Sequence, residues 1–272
     1  MPQMEFKCAL ITGASLGLGK AFAGECAARG MNLALVALPG SGLPELSRAI
    51  AREQGVRVGW LEADLTERAT HERLVEMIRS EGLEVDFLVN NAGMGFIGPF
   101  LDSTIEQQEA TIRLNTIALI RLTRLLIDEF RGREKAHILN VASLGAFFPM
   151  PTFSVYSATK SFVLSYSLAL RQELAGSVGV SVLCPNAIRT TTDVEDYLNR
   201  FGLASRLACL TPERIARIAL DGVARDKAII IPGFFNRTLA AVGRIVPRSI
   251  VLRTIHRFWG GFCKPRARTR RA

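Results

Sequence analysis

Residues Phe6 to Gly19 read Phe-Lys-Cys-Ala-Leu-Ile-Thr-Gly-Ala-Ser-Leu-Gly-Leu-Gly. The run Cys8–Ile11 is continuously apolar, as a strand covered on both faces must be. The apolar run ends at Gly13, and a helix-length stretch over 18–30 follows. Gly13, Gly17 and Gly19 therefore stand between a strand and a helix. Glycine in that place lets the backbone turn tightly and approach a phosphate, whose charge meets the free N–H groups and positive end of the helix. A bare strand–helix turn also asks for glycine, and the spacing GxxxGxG is not the GxGxxG of the best-known fingerprint. The position after the first strand is what favours a nucleotide. The candidate contacts are Gly13, Ser15, Leu16, Gly17, Leu18 and Gly19.

Outward from this loop, short apolar runs alternate with longer helical patterns. Strands are expected at Phe6–Thr12, Asn32–Leu38, Arg57–Leu61, Phe87–Asn90, Ala136–Ala142, Val180–Cys184 and Ala228–Ile231. Helices are expected near 18–30, 43–54, 67–81, 104–130, 154–176 and 211–224. This order predicts βαβ units and an α/β, Rossmann-like, doubly wound sheet, mostly parallel, of about seven strands with helices on both faces. Right-handed crossovers place ligands at the C-terminal strand ends. Residues 1–232 read as one nucleotide-binding catalytic domain and 233–272 as a basic amphipathic extension. No internal repeat interrupts them.

Tyr156 and Lys160 lie four apart on the helix expected over 154–176, so they share a face. Ser143 closes the strand before it. Both sites fall at the sheet's C-terminal edge, beside the glycine loop. A tyrosine hydroxyl titrates near 10 and is a poor acid–base group at neutral pH, but a neighbouring ammonium favours the phenolate. A carbonyl under hydride attack needs a proton as charge develops on its oxygen. Tyr156 can give it, and Ser143 can hold the same oxygen. A solvated Tyr–Lys pair on a helix is commonplace; its convergence with Ser143 and the glycine loop gives it weight.

These residues together resemble the short-chain dehydrogenase/reductase family over roughly residues 6–232. Thr12–Gly19 is similar to its TGxxxGxG loop, Asn90-Asn91-Ala92-Gly93 to its NNAG motif, and Ser143, Tyr156 and Lys160 to its catalytic set. Within the family, general likeness points to the ketoacyl reductase and hydroxysteroid dehydrogenase subgroup. The resemblance implies that Asp64 and Leu65 meet the adenine, that Asn91, Ala92 and Gly93 line the adenosine half, and that Asn115 positions a water in a proton relay. It implies that Tyr156 is the acid–base residue, and that Lys160 lowers its pKa and binds the nicotinamide ribose. Pro185, Ile188 and Thr190 would meet the carboxamide. Pairing through the two long helices as a homodimer or homotetramer is implied in the same way.

Two departures stand out. The family's Pro-Gly after the sixth strand is Pro185-Asn186 here; asparagine tolerates a left-handed backbone, so the turn is expected to survive. The selector after the second strand reads Val36-Ala37-Leu38-Pro39, with neither the acid of NAD users nor the arginine of NADP users. Absence of the acid removes a barrier to a 2′-phosphate, and Ser15 or Ser41 can touch one, so the expectation leans to NADP.

Met94, Phe96, Phe147, Phe148, Met150 and Phe153 lie on loops at the same edge, and 191–210 has an apolar face where the family places a substrate lid. A lipophilic ketone, ketoacyl or steroid-like, is the expected substrate. In the extension, Phe235, Leu239, Val242 and Val246 form one helical face, and Val251, Ile255, Phe258 and Phe262 form another beyond Pro247. Docking of these faces on the enzyme's own body or a partner subunit is the first reading. Contact with an anionic membrane surface is the second.

The net charge of +9 is confined to one end: Lys227–Ala272 holds 11 Lys or Arg and no acid, and residues 1–226 hold 23 basic and 25 acidic residues. No motif that reads nucleic acid accompanies that charge, so no nucleic-acid partner is expected. The cysteines Cys8, Cys26, Cys184, Cys209 and Cys263 are scattered without metal spacing, which suits a reducing cytoplasm, with no metal site expected. No signal peptide or spanning segment is read. His71 and His137 read as packing or surface residues and Trp60 as core. A catalytically silent cofactor-binding regulator or scaffold is the alternative function, disfavoured by the intact Asn115, Ser143, Tyr156 and Lys160. A sugar-nucleotide epimerase on the extended fold is disfavoured by the glycine spacing.

Overall fold

A computed structural model describes residues 6–130, 133, 135–186, 209–246, 249–250 and 252–253. Its strands are β1 (Cys8–Thr12), β2 (Asn32–Ala37), β3 (Val58–Glu62), β4 (Phe87–Asn90), β5 (His137–Val141), β6 (Gly179–Leu183) and β7 (Ile229–Ile230). They form one sheet of order β3-β2-β1-β4-β5-β6-β7. Every pairing is parallel. The order reverses between β1 and β4, so the loops after these two strands open the crevice where such sheets take ligands.

The helices are α1 (Gly17–Ala28), α2 (Leu43–Gln54), α3 (Arg68–Ser80), α4 (Ile105–Ile112), α5 (Leu119–Phe130), α6 (Ser154–Glu173), α7 (Pro212–Val223) and α8 (Phe234–Ile245). One face of the sheet is sealed by Leu18 and Phe22 of α1, Ile50 of α2 and Ile215 and Leu220 of α7. The other is sealed by Leu74 and Ile78 of α3, Leu122, Leu126 and Phe130 of α5 and Leu170 of α6. Phe22, Phe87 and Phe130 are among the largest fully buried side chains, and truncating such a residue to alanine costs about 3–5 kcal/mol.

The helix starts follow from local chemistry. Thr104 accepts from Gln107 N while the Gln107 side chain accepts from Thr104 N, a capping box that opens α4. Thr211 accepts from Arg214 N, with Pro212 in the first turn of α7. The stretch 104–130 is not one regular helix as expected. A π turn over Arg113–Ala118 divides it, and Asn115 sits in that turn. Trp60 also departs from expectation: it is exposed on β3 with the Arg48 guanidinium 5.7 Å above its ring. His71 and His137 are buried packing residues. Among the described residues no helix is long and apolar enough to cross a membrane, and no three His, Cys, Asp or Glu side chains gather as metal ligands.

Candidate active site

At the switch point the loop after β1 is bound to the loop after β4. The Thr12 hydroxyl accepts from Asn91 N and Ala92 N, each at 2.9 Å. Asn91 Nδ2 returns a bond to Thr12 O at 2.9 Å and reaches Gly13 O at 3.3 Å. Gly13 (φ 65°) and Gly17 (φ 53°) are in the left-handed region that favours glycine. At Gly19 a Cβ would lie 2.0 Å from Gly13 O, so only glycine closes the turn. Helix α1 then starts at Leu16 with no side-chain cap. Its first N–H groups face the crevice with the dipole behind them, a cradle for a pyrophosphate. The residues thus fit the nicotinamide dinucleotide that the loop implies.

Beneath this edge runs a buried polar ladder. Asn90 Nδ2 donates to Asn140 Oδ1 (2.8 Å) and Thr123 Oγ1 (3.1 Å), and Asn140 Nδ2 donates to Ser167 Oγ (2.9 Å). It ties β4, β5, α5 and α6 into one frame. Asn115 works in the same manner: Nδ2 donates to Met94 O and Thr159 Oγ1, and Oδ1 accepts from Met94 N. The π turn that carries Asn115 is a feature concentrated at functional sites.

The chemistry sits on this frame. Lys160 is buried, and its Nζ donates to Val141 O at 2.8 Å and lies 5.7 Å from the Tyr156 ring centroid. Phe153 stacks on Tyr156 with centroids 4.1 Å apart. Two glycines admit this packing. A Cβ on Gly93 would lie 3.1 Å from Lys160 Nζ, and one on Gly95 would lie 2.5 Å from the Tyr156 ring. The Ser143 hydroxyl accepts from Gly145 N at 3.1 Å and stands near enough to the Tyr156 phenol to lower its pKa.

Burial raises the Tyr156 pKa, and the Ser143 hydroxyl only partly offsets it. The expected lowering by Lys160 is not what the protein alone produces. Its ammonium is turned toward Val141 O, and burial lowers its own pKa to about 8. The phenol is therefore held neutral, the form that can give a proton.

Asp64 Oδ1 accepts from Thr66 N at 2.8 Å, at the mouth of the crevice after β3. The Leu18 and Leu65 side chains are buried in the apolar layers, leaving only their backbone for a ligand, whereas Leu16 is exposed. Pro185 O accepts from Leu144 N at 2.7 Å, pinning the loop of Ser143. Ile188, Thr190 and most of the 191–210 stretch lie outside the described residues. The Pro185-Asn186 departure is explained differently from expectation. Asn186 has no positive φ; its Nδ2 donates to Asn236 Oδ1 at 3.0 Å, tethering α8. Sequence reading missed Gly95, the Val141 carbonyl, Thr159 and Asn140. Gly95 alone carried a signal, as a glycine two residues past Gly93.

A parallel sheet with a phosphate cradle at its switch point and a Ser–Tyr–Lys set beside it is the layout of the short-chain dehydrogenases. The short chain dehydrogenase family profile matches residues 7–200, and the chain belongs to that family. It is 36% identical over 194 residues to human 17-beta-hydroxysteroid dehydrogenase type 3, covering 70% of this chain and 61% of that one. It thus spans about three fifths of that relative's length. It is 32% identical over 237 residues to the very-long-chain 3-oxoacyl-CoA reductase of Pyrenophora tritici-repentis, covering 85% and 69% of the two chains. A short-chain dehydrogenase from Sphingobium yanoikuyae in complex with NADPH superposes with a TM-score of 0.75 at 33% identity, covering 88% of this chain and 93% of that one.

Proposed function

We propose that this chain reduces a lipophilic ketone, ketoacyl or steroid-like, to a secondary alcohol with NADPH, and runs the reverse oxidation. The observation that carries the reading is a neutral, half-buried Tyr156 phenol beside the Ser143 hydroxyl, with Lys160 Nζ 5.7 Å from its ring centroid. A nicotinamide cofactor held at the glycine loop would supply the hydride for the carbonyl carbon. Ser143 orients the carbonyl oxygen, and Tyr156 gives that oxygen its proton. The phenolate left behind has a buried ammonium nearby to stabilise it. Asn115 fixes Met94 and Thr159 around the site, and the Phe153 stack holds the phenol in place. The relatives, a hydroxysteroid dehydrogenase and a very-long-chain oxoacyl-CoA reductase, support a lipophilic substrate, as do the aromatic and methionine side chains at this edge.

NADP(H) is favoured because the end of β2 offers Ala37 and Leu38 and no acid, and because the Ser41 hydroxyl is buried with no hydrogen-bond partner. One observation favours NAD(H) instead. Glu62, paired with Ala37 across β2 and β3, accepts from Gly40 N at 3.0 Å, which puts a carboxylate beside the ribose end of the crevice. Exposed Ile112, Ile117, Leu125 and Phe162 along α4, the π turn, α5 and α6 support pairing as a homodimer or homotetramer. The buried thiols of Cys8 and Cys26 suit a cytoplasmic enzyme.

Calorimetric titration with NADPH and NADH, repeated on Lys160→Ala and Glu62→Gln, tests the reading. Tighter NADPH binding, weakened by Lys160→Ala, supports it. Tighter NADH binding that Glu62→Gln reverses replaces the cofactor by NAD. Binding of neither by the folded protein rejects the enzyme reading. A ketone panel then decides the substrate class; turnover of small hydrophilic ketones as fast as long acyl or steroid ketones rejects the lipophilic reading.

A further inference from the structure

The sequence pattern of α8 puts Phe235, Leu239, Val242 and Val246 on one face, with docking on the enzyme's own body or a partner subunit as the first reading. In the structure Phe235, Leu239 and Val242 are not seated on the enzyme's own body. Asn236 and Ala240 are buried, each at 2% exposure, and Gly243 follows on the same side. A Cβ at Gly243 would lie 1.9 Å from a ring carbon of Phe148, so the helix backbone rests directly on that ring. Asn236 fixes the seat through Asn186 and through Pro232 O at 2.7 Å. The docking face is therefore small and polar, and it is already filled.

The apolar face points out. Phe234 is 84% exposed and Phe235 49%, with Leu239 and Val242 also exposed along the helix and Ile250 and Leu252 exposed beyond it. Helix α8 starts past the C-terminal end of β7, in an all-parallel sheet, so it stands on the same edge as the active site. Phe148, against which it rests, belongs to the loop between Ser143 and Tyr156. On the other side of that loop, Gly98 N donates to Thr152 O at 2.8 Å. The segment Gly98 belongs to exposes Met94, Ile97, Phe100 and Leu101. Two apolar patches thus flank the mouth of the site.

Charge selects the occupant. From Lys227 to Ala272 there are 11 basic residues and no acidic one. A second copy brought to this face would set like charge against like charge, whereas an anionic lipid surface attracts it. An exposed apolar helix face with arginines beside it is the interfacial pattern.

We infer that α8 and the loop 94–101 form a membrane-docking face that rests on anionic phospholipid, with the active-site mouth opening toward the bilayer. The geometry makes Phe234 and Phe235 the inserting side chains. The face is read without reference to cofactor or turnover, so vesicle binding tests it separately from the enzymatic reading.

The experiment is co-sedimentation of the full chain with neutral phosphatidylcholine vesicles and with vesicles containing phosphatidylglycerol, for the wild type and Phe234→Ser/Phe235→Ser. Nicotinamide dinucleotide binding and the far-ultraviolet spectrum of the variant report that it is folded. The expected result is binding to the anionic vesicles only, reduced about tenfold or more by the double substitution. Absence of binding to anionic vesicles at low salt overturns the inference. So does binding that the substitution leaves unchanged, which would assign it to charge alone. An oligomer dissociated by the same substitution, without vesicle binding, would give the face to a second copy and overturn it equally.

Discussion

At the residue scale the site is a balance of burial against charge. The Lys160 pKa is lowered to about 8 by desolvation, from 10.5. Between those two values the unfolded chain holds a proton that the folded chain has lost, so stability rises with pH there; below pH 8 the folded protein carries the full cost of the buried ammonium. Replacing it by an apolar side chain of similar length removes that cost. Lys160→Met is expected to unfold at higher temperature than the wild type at pH 7, by a stability gain of about 1–3 kcal/mol, while cofactor affinity and turnover fall. A lower melting temperature would mean that the bond to Val141 O repays the desolvation. Gly95 poses the opposite problem. Its Cβ would lie 2.5 Å from the Tyr156 ring and 2.9 Å from the Phe153 ring stacked on it. Gly95→Ala is expected to lower kcat about 10–100-fold with little change in dinucleotide binding, measured by steady-state kinetics beside a cofactor titration. Tyr156→Phe, which keeps the stack and removes only the hydroxyl, is expected to lower kcat by about 100-fold or more, again with the cofactor still bound.

At the scale of elements, β4 was read residue for residue, and β1 to β3, β5 and β6 fell within a residue or two of their observed ends. The seven apolar runs and the break at Gly13 are local signals, and local signals decide buried parallel strands. The π turn at Arg113–Ala118 left no such mark, because it comes from how Asn115 reaches Met94 and Thr159, which are distant in sequence. The apolar face of helix α8 departs from docking on the enzyme's own body for a physical reason. Periodicity finds the apolar face and assumes that it is the buried one, whereas this helix docks through Asn236, Ala240 and Gly243, where a small side chain lets backbone meet the Phe148 ring. The meaning of Asn186 was hidden for the same reason, since its partner lies 50 residues away. Removing that partner is informative. Asn236→Ala deletes bonds to Asn186 and to Pro232 O at a buried position. It is expected to cost about 1–3 kcal/mol and to speed amide hydrogen exchange in α8 well beyond that of β1 and β4. Equal protection in the variant would show that the Phe148 contact alone seats the helix.

On the scale of the whole molecule, the two edges of the sheet divide the work. The C-terminal edge carries the cradle, the Ser143–Tyr156–Lys160 set and α8. The other carries stabilising contacts, among them Asp86, whose carboxylate accepts from Lys7 N and Cys8 N, and His137 at the start of β5. His137 is buried, its Nε2 is 2.9 Å from Ser181 Oγ, and burial lowers its pKa from 6.5 to about 4. Between those values the unfolded chain binds a proton that the folded chain refuses. Stability is therefore complete above pH 6.5 and is lost as the pH falls toward 4, by up to about 3 kcal/mol from this one group. His137→Gln keeps a hydrogen-bonding side chain near Ser181 and cannot titrate. Denaturant unfolding followed from pH 7 to pH 4 is expected to give a steep loss for the wild type and a shallower one for the variant. Because His137 sits at the far end of β5 from Ser143, its substitution is expected to leave dinucleotide affinity at pH 7 unchanged. Parallel pH slopes for the two proteins would show that groups other than the buried imidazole set the acid limit of the fold.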